Sequence, residues 1–293
     1  MDMRELMRDW GAWIAAVVAL IVLIALLVFV YKSREEPEPI EVPVTEPQVD
    51  NELPPSDEPK HPLPEPAVQA APEAEPAPPL PPLEESDESI ASALADLVGA
   101  DAVRRHIVED KIIPNLVVTI DNLPRDVVAL RLRAVEPLPG RFSPSVQEGE
   151  FEPGEEEYEL REEDFERYEP LVELVEAIDT DELVEVYQRH YPLFETAYED
   201  LGYPSDYFND RLVEVIDHLL ATPEVEPPIE LTRPHVLYEY ADPALERRSA
   251  GQKALIRIGP DNAAIVKDKL RAIRDRITQT TSPDAAELET GHP

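Results

Sequence analysis

The chain has 293 residues, and 63 acidic side chains against 26 Lys and Arg give it a formal net charge of -37. A surface this acidic repels phosphate backbones, so no nucleic acid is expected among its partners. The sequence contains 33 Pro but only 9 Gly, which indicates a stiff extended segment, and it contains no Cys. Disulfides, Cys-ligated zinc, iron–sulfur clusters and thiol nucleophiles are therefore excluded.

Residues 1–9 form a short N-terminal tail, and residues 10–31 carry no charged side chain. A helix of this length spans about 33 Å, enough to cross a hydrocarbon core of about 30 Å. Trp10 and Trp13 at one end and Tyr31 at the other are placed as membrane-interface anchors. We predict a single transmembrane helix that is retained as a signal anchor. Its apolar run is longer than that of a signal peptide and ends without a small-x-small cleavage site.

Basic residues flank this predicted helix on both sides, with Arg4 and Arg8 before it and Lys32 and Arg34 after it. The two counts are nearly tied, but the short N-terminal tail and the lack of further basic residues before Lys60 favour a cytoplasmic N-terminus. We therefore expect a bacterial inner-membrane protein whose C-terminal domain is exported into the periplasm.

Residues 32–83 combine many prolines and acidic side chains with no Gly, Phe, Trp or Tyr. Such a segment cannot bury enough apolar surface to offset chain entropy, which predicts a disordered linker. Proline favours the polyproline II conformation, at about 3.1 Å per residue, so we interpret the segment as an acidic stalk. The Pro-Pro stretches at Pro54 and Pro78–Pro82 would alternatively serve as ligands for a proline-binding domain.

Residues 84–277 change to periodic hydrophobicity, which predicts a compact, mainly α-helical domain with at most a short β-hairpin. Capping residues and helix breakers divide this region. We predict helices after Ser86 and Asp101, over Ile112–Leu123 and Phe165–Ile178, from an Asp179 and Glu182 capping box to Gly202 with a kink at Pro192, after Ser205, and over Asp242–Arg248, Ser249–Ile258 and Pro260–Ile277. Residues 136–157 are predicted to form a loop with a hairpin over Phe142–Phe151, and residues 278–293 a disordered tail.

Four histidines of the domain, His106, His190, His218 and His235, lie near carboxylates in the sequence. None has the spacing of a metal-binding motif, so we interpret them as structural, with His218 near the end of a helix. We assign no catalytic, cofactor-binding or metal-ligating residue.

An aromatic stripe on the helix after Asp179 is open to two interpretations. Tyr187, Tyr191, Phe194 and Tyr198 fall on one helical face, which suits either a carbohydrate platform or the core face of an amphipathic helix. We favour the core face.

A cationic face on the last predicted helix is also open to two interpretations. Lys267, Arg271 and Arg274 share this face and could contact anionic lipid or a partner's acidic surface. We favour a solvated face that docks partly against the acidic body of the protein itself.

A long C-terminal stretch, residues 196–262, resembles a known bacterial family: TAYEDLGYPSDYFNDRLVEVIDHLLATPEVEPPIELTRPHVLYEYADPALERRSAGQKALIRIGPDN. The family is domain of unknown function 3014 (DUF3014), and a weaker likeness reaches back to LPPLEESDESIASAL, residues 80–94. In this family a membrane anchor and a proline-rich stalk typically precede the domain, so the resemblance implies the same architecture. It implies no catalytic residues, because none are assigned in the family.

These features predict a single-pass membrane protein with a tethered helical domain in an interaction or scaffold role in the bacterial cell envelope. The expected partners are the lipid bilayer, through the N-terminal helix, and an unknown envelope protein or peptidoglycan; no cofactor is expected. One alternative is an envelope enzyme that acts on glycan or peptidoglycan through carboxylates. Another is a structural spacer without a specific ligand. We favour binding over catalysis, because nothing in the sequence selects a catalytic pair among dozens of carboxylates.

Overall fold

The structure is a computed structural model that describes residues 58–64, 79–126, 132–138, 142–147, 157–234 and 237–279. The predicted transmembrane helix, residues 10–31, lies outside the described residues together with its anchors Trp10, Trp13 and Tyr31. Most of the predicted linker and tail also lie outside them. Among the helices that are described, none is long and apolar enough to cross a bilayer.

Most of the described residues lie in α-helices, which confirms the predicted mainly helical fold. The helices are α1 (Asp87–Val98), α2 (Ala100–His106), α3 (Ile112–Asn122), α4 (Glu162–Phe165), α5 (Glu169–Ala177), α6 (Thr180–Asp200), α7 (Phe208–Leu220), α8 (Pro243–Glu246), α9 (Ala250–Arg257) and α10 (Pro260–Thr278). Short 3-10 turns at Leu83–Glu85 and Glu166–Tyr168 precede α1 and α5.

A small antiparallel sheet accompanies the helices. Its strands are β1 (Ser145–Val146), β2 (Tyr158–Leu160), β3 (Ile229–Thr232) and β4 (Glu239–Tyr240), in the order β1-β2-β3-β4. β1 lies within the predicted loop region, but its partner β2 begins just after that region, and Val146 pairs with Tyr158. The predicted hairpin over Phe142–Phe151 is therefore wrong in its bounds. The sheet is also larger than predicted, because β3 and β4 add a second pair.

One large hydrophobic core joins most of the helices. α10 contacts α5, α6 and α7, while α3 contacts α6 and α7. The buried faces are the predicted apolar stripes: Leu212, Ile216 and Leu219 of α7 and Val266, Leu270 and Ile273 of α10 are each at most 2% exposed. Full burial of a side chain of this size contributes about 1.5–3 kcal/mol, so this packing determines how the long helices are arranged.

A second, smaller core lies under the sheet. Its buried members are Leu160, Phe165, Ile229, Leu231, Tyr240 and Ile256. Arg257 is 7% exposed, and its guanidinium lies 4.9 Å from the ring centroid of Phe142 and 5.7 Å from that of Tyr240. Contacts of a cation with aromatic faces stabilise the charge at the edge of this apolar cluster.

The first two helices begin differently from the sequence prediction. Ser86 lies immediately before α1, but its hydroxyl donates to the Leu83 carbonyl at 2.7 Å and does not cap the helix. α2 begins directly after Gly99, so the prediction of a cap at Asp101 is wrong. At Gly99 the backbone has φ +87°, which glycine adopts readily, and the two helices follow one another without a linking segment.

The start of α6 confirms part of the predicted capping box. Asp179 Oδ1 accepts hydrogen bonds from the main-chain N–H groups of Asp181, at 2.9 Å, and of Glu182, at 3.1 Å. Glu182 does not complete the box, since its Oε2 is buried without a hydrogen-bond partner. Burial, with the neighbouring charge of Asp179, raises the pKa of Glu182 to about 7. Pro192 lies inside α6, and the kink there stays a prediction.

Gly259 and Gly99 provide a matched test of the packing before α10, because their backbones have φ of +90° and +87°. A Cβ at Gly259 would overlap the Phe165 ring, whereas one at Gly99 meets nothing within 4 Å. Both Gly→Ala substitutions strain the backbone by about 1–3 kcal/mol, and only Gly259→Ala adds a steric cost of about 1–3 kcal/mol. We expect urea unfolding of the full chain in detergent to rank parent, Gly99→Ala and Gly259→Ala in falling stability. Equal losses in the two variants would contradict the close approach of Phe165.

The buried side chain of His190 makes the free energy of unfolding depend on pH. Its side chain is 1% exposed, its Nδ1–H donates to the Val186 carbonyl at 2.9 Å, and Ser89 Oγ lies 3.4 Å from Nε2. Burial lowers the pKa of His190 below its ordinary value of 6.5. The unfolded chain therefore binds the proton more readily than the folded chain. This contribution to stability is present above pH 6.5 and is lost as the pH falls through the folded pKa.

Lowering the pH from 7 to 5 should therefore destabilise the parent more, or stabilise it less, than His190→Gln, because only the parent loses the contribution of His190. The raised pKa of Glu182 acts in the opposite direction and is common to both proteins. The measurement is urea unfolding at several pH values, and the slope is compared because the substitution also changes absolute stability. An unchanged slope in His190→Gln would show that this histidine is not held neutral by the fold.

Candidate binding groove

Residues 58–64, which belong to the predicted linker, lie against α6 and α7. We call the surface that they contact, formed by Gln188, Asn209, Asp210 and Glu214, the groove. Residues 58–64 form no helix or strand, but hydrogen bonds connect them to side chains about 120 to 150 positions away in the chain. Leu63 packs against the large hydrophobic core. A part of the linker is thus bound to the helical domain.

One carboxylate binds two successive main-chain groups of this segment. Asp210 lies in the first turn of α7; its Oδ2 accepts the N–H of Lys60 at 2.8 Å and its Oδ1 the N–H of His61 at 2.7 Å. Hydrogen bonds to a charged group contribute about 1.5–3 kcal/mol, more than those between neutral groups. Because both N–H groups converge on one carboxylate, Asp210 fixes a bend at Lys60 and His61.

A buried amide also binds this bend, but as a hydrogen-bond donor, whereas Asp210 is an acceptor. Asn209 is 1% exposed, and its Nδ2 donates to the His61 carbonyl at 2.8 Å and to the Ile277 carbonyl at 3.3 Å. Its Oδ1 accepts a hydrogen bond from the Tyr187 hydroxyl at 3.2 Å. An amide has two donor hydrogens and an acceptor oxygen, and all three are used here. The donor aimed at His61 is therefore held in place by α6 and by the end of α10.

Two further contacts extend the groove along the segment. Gln188 of α6 donates from Nε2 to the Pro64 carbonyl at 3.0 Å. Lys60 Nζ lies 3.5 Å from Glu214 Oε1, with side chains that are 67% and 53% exposed. An exposed pair of this kind contributes about 0–1 kcal/mol, so the main-chain contacts dominate the binding.

The start of α7 places Asn209 and Asp210 at the groove. α7 begins at Phe208, whose N–H donates to Glu195 Oε2 of α6 at 3.0 Å, so the predicted cap at Ser205 is wrong. An acidic side chain in the first turn is favoured by the helix dipole. Asp210 therefore stabilises the helix start and binds the segment with the same carboxylate.

The aromatic stripe of α6 forms part of the core beneath this region. Tyr187, Phe194 and Tyr198 are 5%, 6% and 4% exposed, which confirms the predicted core face and leaves these rings unavailable as a carbohydrate platform. The Phe194 ring stacks on the Phe208 ring with centroids 5.5 Å apart. Burial raises the pKa of Tyr191, the fourth aromatic residue, well above its ordinary range.

An ion pair with a buried carboxylate holds α7 against α3. Asp121 is 3% exposed, and its Oδ1 accepts a hydrogen bond from Arg211 Nε at 2.8 Å while its main-chain carbonyl accepts one from Arg211 Nη2 at 3.0 Å. Arg125 Nη2 binds Asp121 Oδ2 at 2.6 Å. The Arg211 side chain is 24% exposed and Asp121 also keeps Arg125, so loss of Arg211 should cost less than the ~3–5 kcal/mol typical of a fully buried pair. Because Arg211 follows Asp210 directly, this pair fixes the orientation of the groove residues.

Sequence reasoning missed the groove, because its two sides are far apart in the chain. One signal was available: Lys60 is the single Lys or Arg in residues 35–103, so a cation stands alone in a long acidic stretch. A lone cation in such a stretch can pair with an acidic surface. Neither Asn209 nor Asp210 forms a motif that would have identified its partner.

The predicted cationic face makes its contacts within the chain. Lys267 donates to the Thr222 carbonyl at 2.6 Å, Arg271 pairs with Asp268 at 2.5 Å, and Arg274 binds Asp217 through two hydrogen bonds of 2.5 and 3.0 Å. Lys267 is only 6% exposed, and burial lowers its pKa. These contacts agree with docking against the protein's own acidic body, and binding of an anionic partner stays a prediction.

Among the described histidines, His218 comes closest to a catalytic arrangement. Its Nε2 lies 2.7 Å from Ser249 Oγ, the spacing of a nucleophile and its base. However, Ser249 is 5% exposed, and its Oγ also accepts the Gln252 N–H at 3.2 Å as the cap of α9. We therefore interpret the pair as a link between the end of α7 and the start of α9. His235 lies outside the described residues.

In the part of the chain that the structure describes, no group of three or more His, Asp or Glu residues could hold a metal ion. The groove offers a different chemistry, in which a carboxylate and two amides bind main-chain groups.

Comparison with known proteins places the chain in a family. Residues 112–274, from α3 to within α10, match the family described as "Protein of unknown function (DUF3014)". No curated protein and no solved structure shows significant similarity. The match covers more than half of the chain and includes Gln188, Asn209 and Asp210 on the domain side of the groove. The resemblance drawn from the sequence is confirmed, and this chain belongs to the DUF3014 family.

Proposed function

We propose that this protein has an interaction role in the bacterial cell envelope, in which the helical domain binds a bent, proline-containing polypeptide segment. The observation that carries the proposal is the capture of residues 58–64 through their main chain by Asp210 and Asn209. A site that binds consecutive main-chain groups accepts a polypeptide. The groove binds such groups at Lys60, His61 and Pro64.

The sequence supports a membrane-bound setting for the domain. We infer that residues 10–31 span the inner membrane once, with the N-terminus in the cytoplasm and the domain in the periplasm. The bilayer is then the first partner. A tether of this kind raises the effective concentration of a partner on the same membrane.

An envelope protein fits the groove better than peptidoglycan does. The groove binds consecutive main-chain groups flanked by prolines, which a polypeptide supplies. The enzyme alternative has no comparable support in the described residues, because the His218–Ser249 pair serves as a helix cap. Binding is accordingly the function that the geometry favours.

The test uses a full chain whose groove no longer holds its own segment, which we call the opened chain. Residues 58–64 are replaced by seven Gly and Ser residues, the protein is held in detergent, and binding of a labelled peptide EPKHPLP is followed by fluorescence anisotropy. We expect the opened chain to bind the peptide. Asp210→Ala in the opened chain should weaken binding at least about tenfold, because two charge-assisted hydrogen bonds are lost and about 1.4 kcal/mol corresponds to tenfold.

Glu214→Ala is the matched control, since it removes only the exposed contact with Lys60. It should change the affinity by no more than about fivefold. Failure of the opened chain to bind the peptide, or equal binding by its Asp210→Ala variant, would contradict the proposed function.

A further inference from the structure

We propose that the groove selects a proline-spaced bend of the form Pro-x-x-Pro-Leu-Pro, in which both x residues must have a free main-chain N–H. We further propose that the chain's own copy, Pro59–Pro64, is an internal competitor that a partner has to displace. The inference rests on the proposed function and identifies the ligand class of the same groove.

The pattern of hydrogen bonds defines where proline is allowed. The groove accepts N–H donors from Lys60 and His61, and a proline at either position would supply none. At Pro64 the hydrogen bond with Gln188 uses the carbonyl, which proline retains. The prolines thus stand where no donor is used, and their fixed φ lowers the entropy lost on binding.

The side chains of the segment contribute unequally. Leu63 packs against the domain core, whereas the side chain of Lys60 is 67% exposed. The first x position therefore tolerates exchange, and a basic residue is favoured there by Glu214. An acidic residue at that position would face the Glu214 carboxylate. We infer that the partner carries a neutral or basic bend rather than an acidic one.

The internal segment, Pro59–Pro64, is present at the groove at a much higher effective concentration than a free partner segment. Fourteen residues, 65–78, connect Pro64 to Pro79 at the beginning of the domain. A tether of this length gives an effective concentration on the order of millimolar. A free partner segment at micromolar concentration cannot compete with such an occupant at equal affinity. The groove is thus open only to a partner that binds more tightly or is itself concentrated at the membrane.

The experiment compares several peptides on one protein variant, so any effect of the Gly and Ser replacement on folding is common to all of them. The opened chain, with Gly and Ser at residues 58–64, is titrated with EPKHPLP and with peptides carrying Lys60→Ala, Lys60→Pro, His61→Pro or Leu63→Ala. Lys60→Ala keeps the N–H and should remain within about fivefold of the parent peptide. Lys60→Pro and His61→Pro should each weaken binding more than about tenfold, because each leaves one carboxylate oxygen of Asp210 without its donor. Leu63→Ala should also weaken binding.

Internal competition is measured with the same peptide on the unmodified chain. We expect EPKHPLP to bind the parent chain at least about tenfold more weakly than the opened chain, given a competitor at about millimolar effective concentration.

Each of three possible outcomes contradicts a different claim. No binding of EPKHPLP to the opened chain contradicts the proposed function itself. Binding that both proline substitutions leave unchanged contradicts the ligand rule alone. Equal affinities of the parent and opened chains contradict the internal competition.

Discussion

The ion pair between Arg211 of α7 and the buried Asp121 of α3 is the interaction on which the groove depends. If α7 rotated or slid away from α3, both hydrogen bonds from Arg211 to Asp121 would break, and hydrogen bonds to a charged group contribute about 1.5–3 kcal/mol. The two residues before Arg211 are Asn209 and Asp210. Their orientation toward the bound segment is therefore set by a contact on another face of the same helix. α10 also packs against α7 and helps to hold this helix in place.

The net charge of -37 makes the docking of an acidic linker on an acidic domain unexpected at first. The contacts resolve this conflict, because the carboxylates of Asp210 and Glu214 meet main-chain N–H groups and the ammonium of Lys60 rather than other acids. A bend with free N–H groups presents partial positive charge to a carboxylate whatever its side chains are. Prolines around the bend restrict the chain before binding, which lowers the entropic cost of holding it. We interpret the sequence around Lys60 as a built-in ligand within a stalk.

Much of the helical fold could be predicted from the sequence, because apolar periodicity over ten or more residues is a strong local signal. The buried faces of α7 and α10 and the cap at Asp179 follow the pattern. Short elements could not be predicted as well: β4 has two residues, too few for an alternation to be distinguished from chance. The cap at Ser205 was wrong because a side chain from α6, Glu195, binds the first N–H of α7 instead. The groove escaped prediction for the same reason, since His61 and Asn209 meet only through the tertiary fold.

The most direct test of this account is amide hydrogen exchange at Lys60 and His61 in the full chain, measured by NMR in a bilayer nanodisc. If Asp210 holds the bend, both amides exchange slowly in the parent and become fast in Asp210→Ala, while the core amides of α7 keep their protection. Amides that exchange in the parent as fast as those of an unstructured peptide would contradict the account. In that case residues 58–64 would not be a ligand of the groove.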